Sequence, residues 1–285
     1  MNFPKAVSKG KIILMDEIRR HTPDANRLSI LSAGVLLTYA LPRLLETPSP
    51  VLNWNLLGVA LSIPLNLNLL TVFFAAALTA AGMDWILRSH PTFESEISLQ
   101  HWILPTLTAF ALGIPLYNLP PGSAWWVSFF LGGALLLMVF VAEYIVLDSS
   151  DTRYAFASAG LIAVSFSLFI ILASALSFSG ARLILILLVL FPAAGLVSLR
   201  AIHLRNGRWE WQWAIGIAVA CAQIAAALHY WPLSPVQYGL ATLAPLYALS
   251  GLAINLGDAM SARRALTEAA IYFALFWLAA FILTS

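Results

Sequence analysis

Residues 125–153 read WWVSFFLGGALLLMVFVAEYIVLDSSDTR. The apolar run in this stretch is long enough to cross a bilayer, which takes about 20 helical residues for about 30 Å of hydrocarbon. Trp125 and Trp126 open it, Asp148, Asp151 and Arg153 close it, and Glu143 lies inside it. Tryptophan at one end and charge at the other mark a span held between two membrane interfaces. The acid inside is costly and demands a partner or a purpose.

The rest of the chain follows the same chemistry. Hydrophobic residues make up 61% of the 285 residues and charged ones 10%, against roughly a quarter charged in a soluble domain. Most of the chain is therefore solvated by lipid. The formal net charge is only +2, with no basic run interleaved with aromatics, which argues against a nucleic-acid partner. Cys221 is the single cysteine, so an intramolecular disulfide and a thiolate metal centre are both excluded. The apolar stretch Ile12–Met15 is too short for the core of a cleavable signal peptide, so the first membrane span is expected to act as the insertion signal.

Nine apolar runs follow, at roughly 28–45, 64–87, 101–118, 125–147, 153–176, 181–199, 211–231, 235–256 and 267–283. They lack strand-type alternation, so the expected fold is all-α, a polytopic transmembrane helical bundle. Residues 1–27 form a basic cytoplasmic N-terminal segment and 28–285 a single transmembrane domain. Residues 53–63, before Pro64, are expected to form a short interfacial or re-entrant helix on the outer side.

Charge asymmetry orients the bundle. With the N-terminus inside and the C-terminus outside, only Arg43 and Arg182 of the 15 lysines and arginines face outward. That is the bias of the positive-inside rule, and it implies the inner (plasma) membrane of a bacterium. Tryptophans agree, with Trp54, Trp125, Trp126 and Trp231 at outer ends and Trp85, Trp102, Trp209, Trp211 and Trp213 at inner ones. The sixth span, dominated by branched aliphatics, reads as lipid-facing. The seventh, rich in alanine and glycine, reads as a packed interior helix, and Gly132 and Gly133 give the fourth span a close-packing side.

Polar groups gather at the inner ends. Asp84 and Arg88 are four apart, the spacing of an intrahelical ion pair, and Asn255 and Asp258 share a helix face. Glu143, Asp148 and Arg153 bracket the end of the fourth span. Together these seven are the candidate polar or ligand-binding cluster. In one reading Asp84, Glu143 and Asp258 converge on a pocket for a cation, a proton or a phosphorylated substrate. In the other each charge caps its own helix, with Glu143 paired to an arginine such as Arg88 or Arg200. Asn66, Asn68 and Gln223 are expected to bond between helices. His101 and His229 read as interfacial histidines without a second metal ligand, and no metal or other cofactor motif is present.

Three resemblances bear on function. Nine crossings in this orientation resemble the layout of the UbiA-type intramembrane prenyltransferases, which hold magnesium and a diphosphate on two aspartate-rich loops. The corresponding loops here offer Asp84, Glu94 and Glu96 at a different spacing, and RAIHLRNGRWE (200–210) without paired aspartates. GDAMSARR (257–264) resembles the opening of the CDP-alcohol phosphotransferase signature but lacks its glycine and later aspartates. The stretches GMDWILRSHP (82–91), HWILPTLTAFALG (101–113) and AEYIVLDSSDTRY (142–154) resemble an uncharacterised family of bacterial polytopic membrane proteins. The expectation is a binding, transport or accessory role rather than a recognisable catalytic one. Its partners would be membrane lipid, a small-molecule or lipid-linked ligand, or subunits of a membrane complex. The alternative is a lipid- or prenyl-group transferase with an inner-face acidic pocket.

Overall fold

A computed structural model describes residues 23–44, 51–56, 59–64, 67–90 and 98–282. Residues 1–22 of the basic segment, together with Asn66, Glu94 and Glu96, lie outside the described residues. Among the described residues there are nine long helices: α1 (Ala25–Leu44), α2 (Leu67–Leu87), α3 (Ser98–Asn118), α4 (Ser123–Val146), α5 (Tyr154–Phe178), α6 (Leu183–Asn206), α7 (Trp211–His229), α8 (Pro235–Gly257) and α9 (Ala262–Ile282). Each coincides with one of the nine apolar runs, and the protein is a polytopic helical bundle.

Seven helices, α2 and α4 to α9, are long and apolar enough to cross a membrane. α1 and α3 are of similar length, about 30 Å at ~1.5 Å per residue. α3 tolerates His101, Thr106 and Thr108 because it packs against α1, α2, α4, α5 and α6. A polar group there meets protein instead of lipid.

The expected outer helix at 53–63 is corrected. Residues 51–56 and 59–64 form two paired antiparallel strands, β1 (Val51–Leu56) and β2 (Val59–Pro64), from Val51↔Pro64 to Leu56↔Val59. Two six-residue halves flanking Leu57–Gly58 can satisfy each other's backbone groups across the ladder. A helix of that length would leave most of its end groups unpaired.

Helix ends also differ from the apolar runs. α6 continues past residue 199 to Asn206 and stops where Gly207 takes a left-handed conformation, φ 68°. Arg200 and His203 are therefore helical rather than loop residues. α9 begins at Ala262, so Arg263 and Arg264 belong to its first turn. α8 has a sharp start: Pro235 occupies the first turn, and Ser234 and Gln237 form a reciprocal capping box.

Among the described residues, two apolar clusters make up the core. The first joins α1 to α4 through Leu31, Val35, Met83, Ala109, Phe129 and Phe140. The second joins α3 to α9, centred on Leu161, Phe169, Leu190, Val197 and Leu246. α3 supplies residues to both, Ala109 and Leu116 to the first and Leu104, Leu107 and Ala111 to the second. Glycines permit close approaches: a Cβ on Gly82 of α2 would lie 2.1 Å from Leu31 of α1 and one on Gly113 of α3 2.6 Å from Val72 of α2, while on α4 one on Gly133 would lie 3.0 Å from Leu36 and one on Gly132 3.3 Å from Leu112.

Buried polar contacts follow the backbone. Pro245 cannot donate to the carbonyl of Ala241, and Trp277 Nε1 of α9 donates to that oxygen at 3.2 Å. Tyr238 donates to the carbonyl of Ala225 at 3.1 Å, and Trp125 Nε1 to that of Leu116 at 3.1 Å.

The lipid-facing and interior assignments of α6 and α7 are reversed. α6 buries Ile186, Leu190, Ala193, Ala194, Val197 and Arg200 against its neighbours. α7 is peripheral, packing chiefly against α6 and α8, with Ile215, Gly216, Val219 and Gln223 exposed. Hydrophobicity cannot distinguish these surfaces, because lipid is as apolar as a protein core.

Candidate functional site

Contacts between helix ends define one charged face of the bundle. Arg27 at the start of α1 donates to the carbonyl of Trp85 near the end of α2 at 2.6 Å, and its guanidinium lies 5.1 Å from the Trp85 ring. His90 meets the Tyr144 ring of α4 edge-on at 4.6 Å. Arg205 of α6 faces Asp258 at the end of α8 at 3.9 Å.

The most buried charges of the described residues lie just inside this face. Glu143 of α4 is 0% exposed, Arg200 of α6 is 1% exposed, and His101 of α3 is 4% exposed. Arg200 Nη2 donates to Glu143 Oε2, and His101 Nδ1 lies 2.8 Å from the same oxygen. The Arg200 Nη2 to His101 Nδ1 separation is 3.4 Å. The shorter contact assigns the Nδ1–H as a donor to the carboxylate. Glu143 Oε1, Arg200 Nε and Arg200 Nη1 are buried without hydrogen-bond partners.

Chain geometry explains why these three meet. α3 and α4 are antiparallel neighbours, which brings the start of one beside the end of the other. Arg200, the first residue of α6 beyond 199, reaches the Glu143 carboxylate there. α6 belongs to the second apolar cluster, and α4 contributes to both, with Val139 and Val146, one turn either side of Glu143, in the second. His203, one turn beyond Arg200, stacks on Trp209 at 4.5 Å.

The seven candidates from the sequence do not share one pocket. Arg88 donates to Asp84 at 2.7 Å within α2. Asp148 accepts from the backbone and hydroxyl of Ser150, and Arg153 pairs with Asp151 at 2.7 Å. Asn255 donates to Glu268 of α9 at 3.0 Å, and Asp258 faces Arg205. Among these candidates Glu143 alone enters the buried cluster, joined by Arg200 and by His101, whose interfacial reading is corrected. His101 carried no local signal, since its partner is 42 positions away. Among the described residues no three His, Cys, Asp or Glu side chains come together as a metal site.

A groove of about 700 Å³ opens beside the cluster. Phe73, Ala76 and Ala80 of α2, Trp102, Thr106 and Phe110 of α3, and Leu188, Pro192 and Leu196 of α6 form most of its wall, with Trp211 of α7 at one end. From Trp102 to Phe110 it runs about 12 Å along α3, at ~1.5 Å per residue. That length fits within one leaflet. Trp102 and Thr106, one helical turn apart in its wall, each carry a polar atom, Nε1 and Oγ1, that is buried without a hydrogen-bond partner. Pro192 also withholds the N–H that would ordinarily satisfy the carbonyl of Leu188.

The chain belongs to the family described as "Protein of unknown function (DUF5656)", whose model matches residues 47–283. This agrees with the uncharacterised family that the stretches at 82–91, 101–113 and 142–154 resemble. Neither a curated protein nor a solved structure matches.

Proposed function

We propose that this member of a family of unknown function binds a long-chain amphiphile of the membrane in the groove between α2, α3 and α6. The observation that carries this reading is an apolar groove with two wall residues, Trp102 and Thr106, whose N–H and hydroxyl are buried without partners. A hydrocarbon chain suits the walls, and a side-chain rotation that turns Trp102 Nε1 or Thr106 Oγ1 to the groove would let an ester, carbonyl or hydroxyl oxygen on that chain satisfy it. An unmet buried donor costs about 1–3 kcal/mol, so occupancy by such a group is favoured over occupancy by a plain alkane.

The Glu143–Arg200–His101 cluster holds the groove's framework in this reading. It ties α3 and α6, two of the groove's walls, to α4. The charged face is the cytoplasmic face of a bacterial inner membrane, supported by the concentration of arginines there and by Arg182 at the opposite end of α6. The groove then belongs to the inner leaflet.

The transferase alternative requires acids gathered around one pocket. The separate local partners of Asp84, Asp148 and Asp258 favour the binding reading over it.

The test is photolabelling of the full chain in vesicles containing a phospholipid with a diazirine on one acyl chain. Label is expected on peptides of α3 and α6. Ala80→Trp, which fills the groove, should reduce it about tenfold, equivalent to ~1.4 kcal/mol of binding. Equal labelling of the wild-type chain and this variant would sink the proposal.

A further inference from the structure

We infer that a second groove, between α4 and α5, binds phosphatidylethanolamine, with the phosphate on Arg153 and the ammonium at Asp148. This groove has a volume of about 550 Å³ and shares no lining residue with the one between α2, α3 and α6. Its α5 wall runs from Arg153 to Val164, about 16 Å at ~1.5 Å per residue, roughly the depth of one leaflet. Apart from Arg153 the lining is apolar, as an acyl chain requires.

Both walls end in a charge at the same end. On α4, Val141 and Ile145 line the groove, and Asp148 continues their stripe, since its N–H donates to the carbonyl of Ile145 at 3.3 Å. On α5, Arg153 itself lines the groove. Its side chain is half-exposed and is held at 2.7 Å by the largely buried carboxylate of Asp151. These residues connect two spans and so lie at the level of the lipid headgroups.

An acid on one wall and a base on the other are complementary to a zwitterion. The two acids Asp148 and Asp151 outnumber Arg153, which disfavours a headgroup of net negative charge. The ethanolamine headgroup carries its phosphate and ammonium two carbons apart. The guanidinium donates to the phosphate, and the Asp148 carboxylate accepts from the ammonium. A choline headgroup has no N–H to donate.

The test uses the full chain in phosphatidylcholine vesicles that contain phosphatidylethanolamine with a diazirine on one acyl chain. Label is expected on α4 and α5 between residues 137 and 164, apart from the α3 and α6 peptides of the first groove. Unlabelled phosphatidylethanolamine should remove it at a mole fraction about threefold to tenfold lower than phosphatidylglycerol or added phosphatidylcholine requires. Asp148→Asn should abolish that preference. Gly160→Trp should reduce the label about tenfold. A Cβ on Gly160 would meet no atom of the described residues within 4 Å, so the indole can fill the groove without displacing protein. The inference is overturned by a wild-type chain unlabelled on α4 and α5, or by equal competition among the three lipids. Undiminished label in Gly160→Trp, or an undiminished preference in Asp148→Asn, also overturns it.

Discussion

Arg200 Nη2 of α6 donates to the Glu143 carboxylate of α4 across 57 positions of sequence, with both side chains almost wholly buried. Removing one member leaves the other charge without compensation, a loss of about 3–5 kcal/mol at such sites. Arg200→Met and Glu143→Gln should each lower stability in detergent. The double variant should be less destabilised than the sum of the two, with a coupling of about 0.5–3 kcal/mol. Strict additivity in thermal or steric-trapping measurements would show that the contact contributes nothing.

His101 donates to the oxygen that also accepts from Arg200. His101→Ala should cost about 1–3 kcal/mol, the range for an unmet buried partner. In a Glu143→Gln background the cost should shrink, because a neutral amide makes weaker bonds than a carboxylate. An undiminished cost would assign His101 a packing role alone.

Gly239 of α8 lies against α5, where a Cβ would come within 2.2 Å of Ser174 Oγ and 3.1 Å of the backbone carbonyl of Ile170. Gly239→Ala is expected to destabilise the bundle by about 1–3 kcal/mol through overpacking. Adding Ser174→Ala should recover only part of this, since the Ile170 carbonyl remains. Full recovery, read from melting curves of the three variants, would contradict the backbone component.

An odd number of crossings places the two termini on opposite sides of the membrane. With the charged face cytoplasmic, a reporter fused after Ser285 should be active only if it matures outside the cytoplasm, whereas one fused in the loop between α6 and α7 should be active only inside. The reverse pattern would invert the assigned orientation.

Each helix was legible because lipid imposes a strong local rule: every crossing must be apolar over about 20 residues. The paired strands at 51–56 and 59–64 were not, since a short apolar segment is compatible with either a helix or a strand. The Asp84–Arg88 pair was readable because both residues lie on one helix, four positions apart. The partners of Asp148, Arg153, Asn255 and Asp258 are not readable from spacing in the sequence. Those of Asn255 and Asp258 come from another helix, and those of Asp148 and Arg153 from the shape of a turn.

By itself the sequence determined that this is a polytopic membrane protein, where its helices lie, and that Glu143 carries an unusual burial cost. The tertiary structure alone decided that α6 turns inward while α7 lies at the periphery, that Arg200 rather than Arg88 pairs with Glu143, and that His101 joins them. The physical reason is the same in each case. Hydropathy distinguishes water from oil and so locates the spans, but lipid and protein interior are both oil. Which face a helix presents to each is set by contacts between residues far apart in the chain.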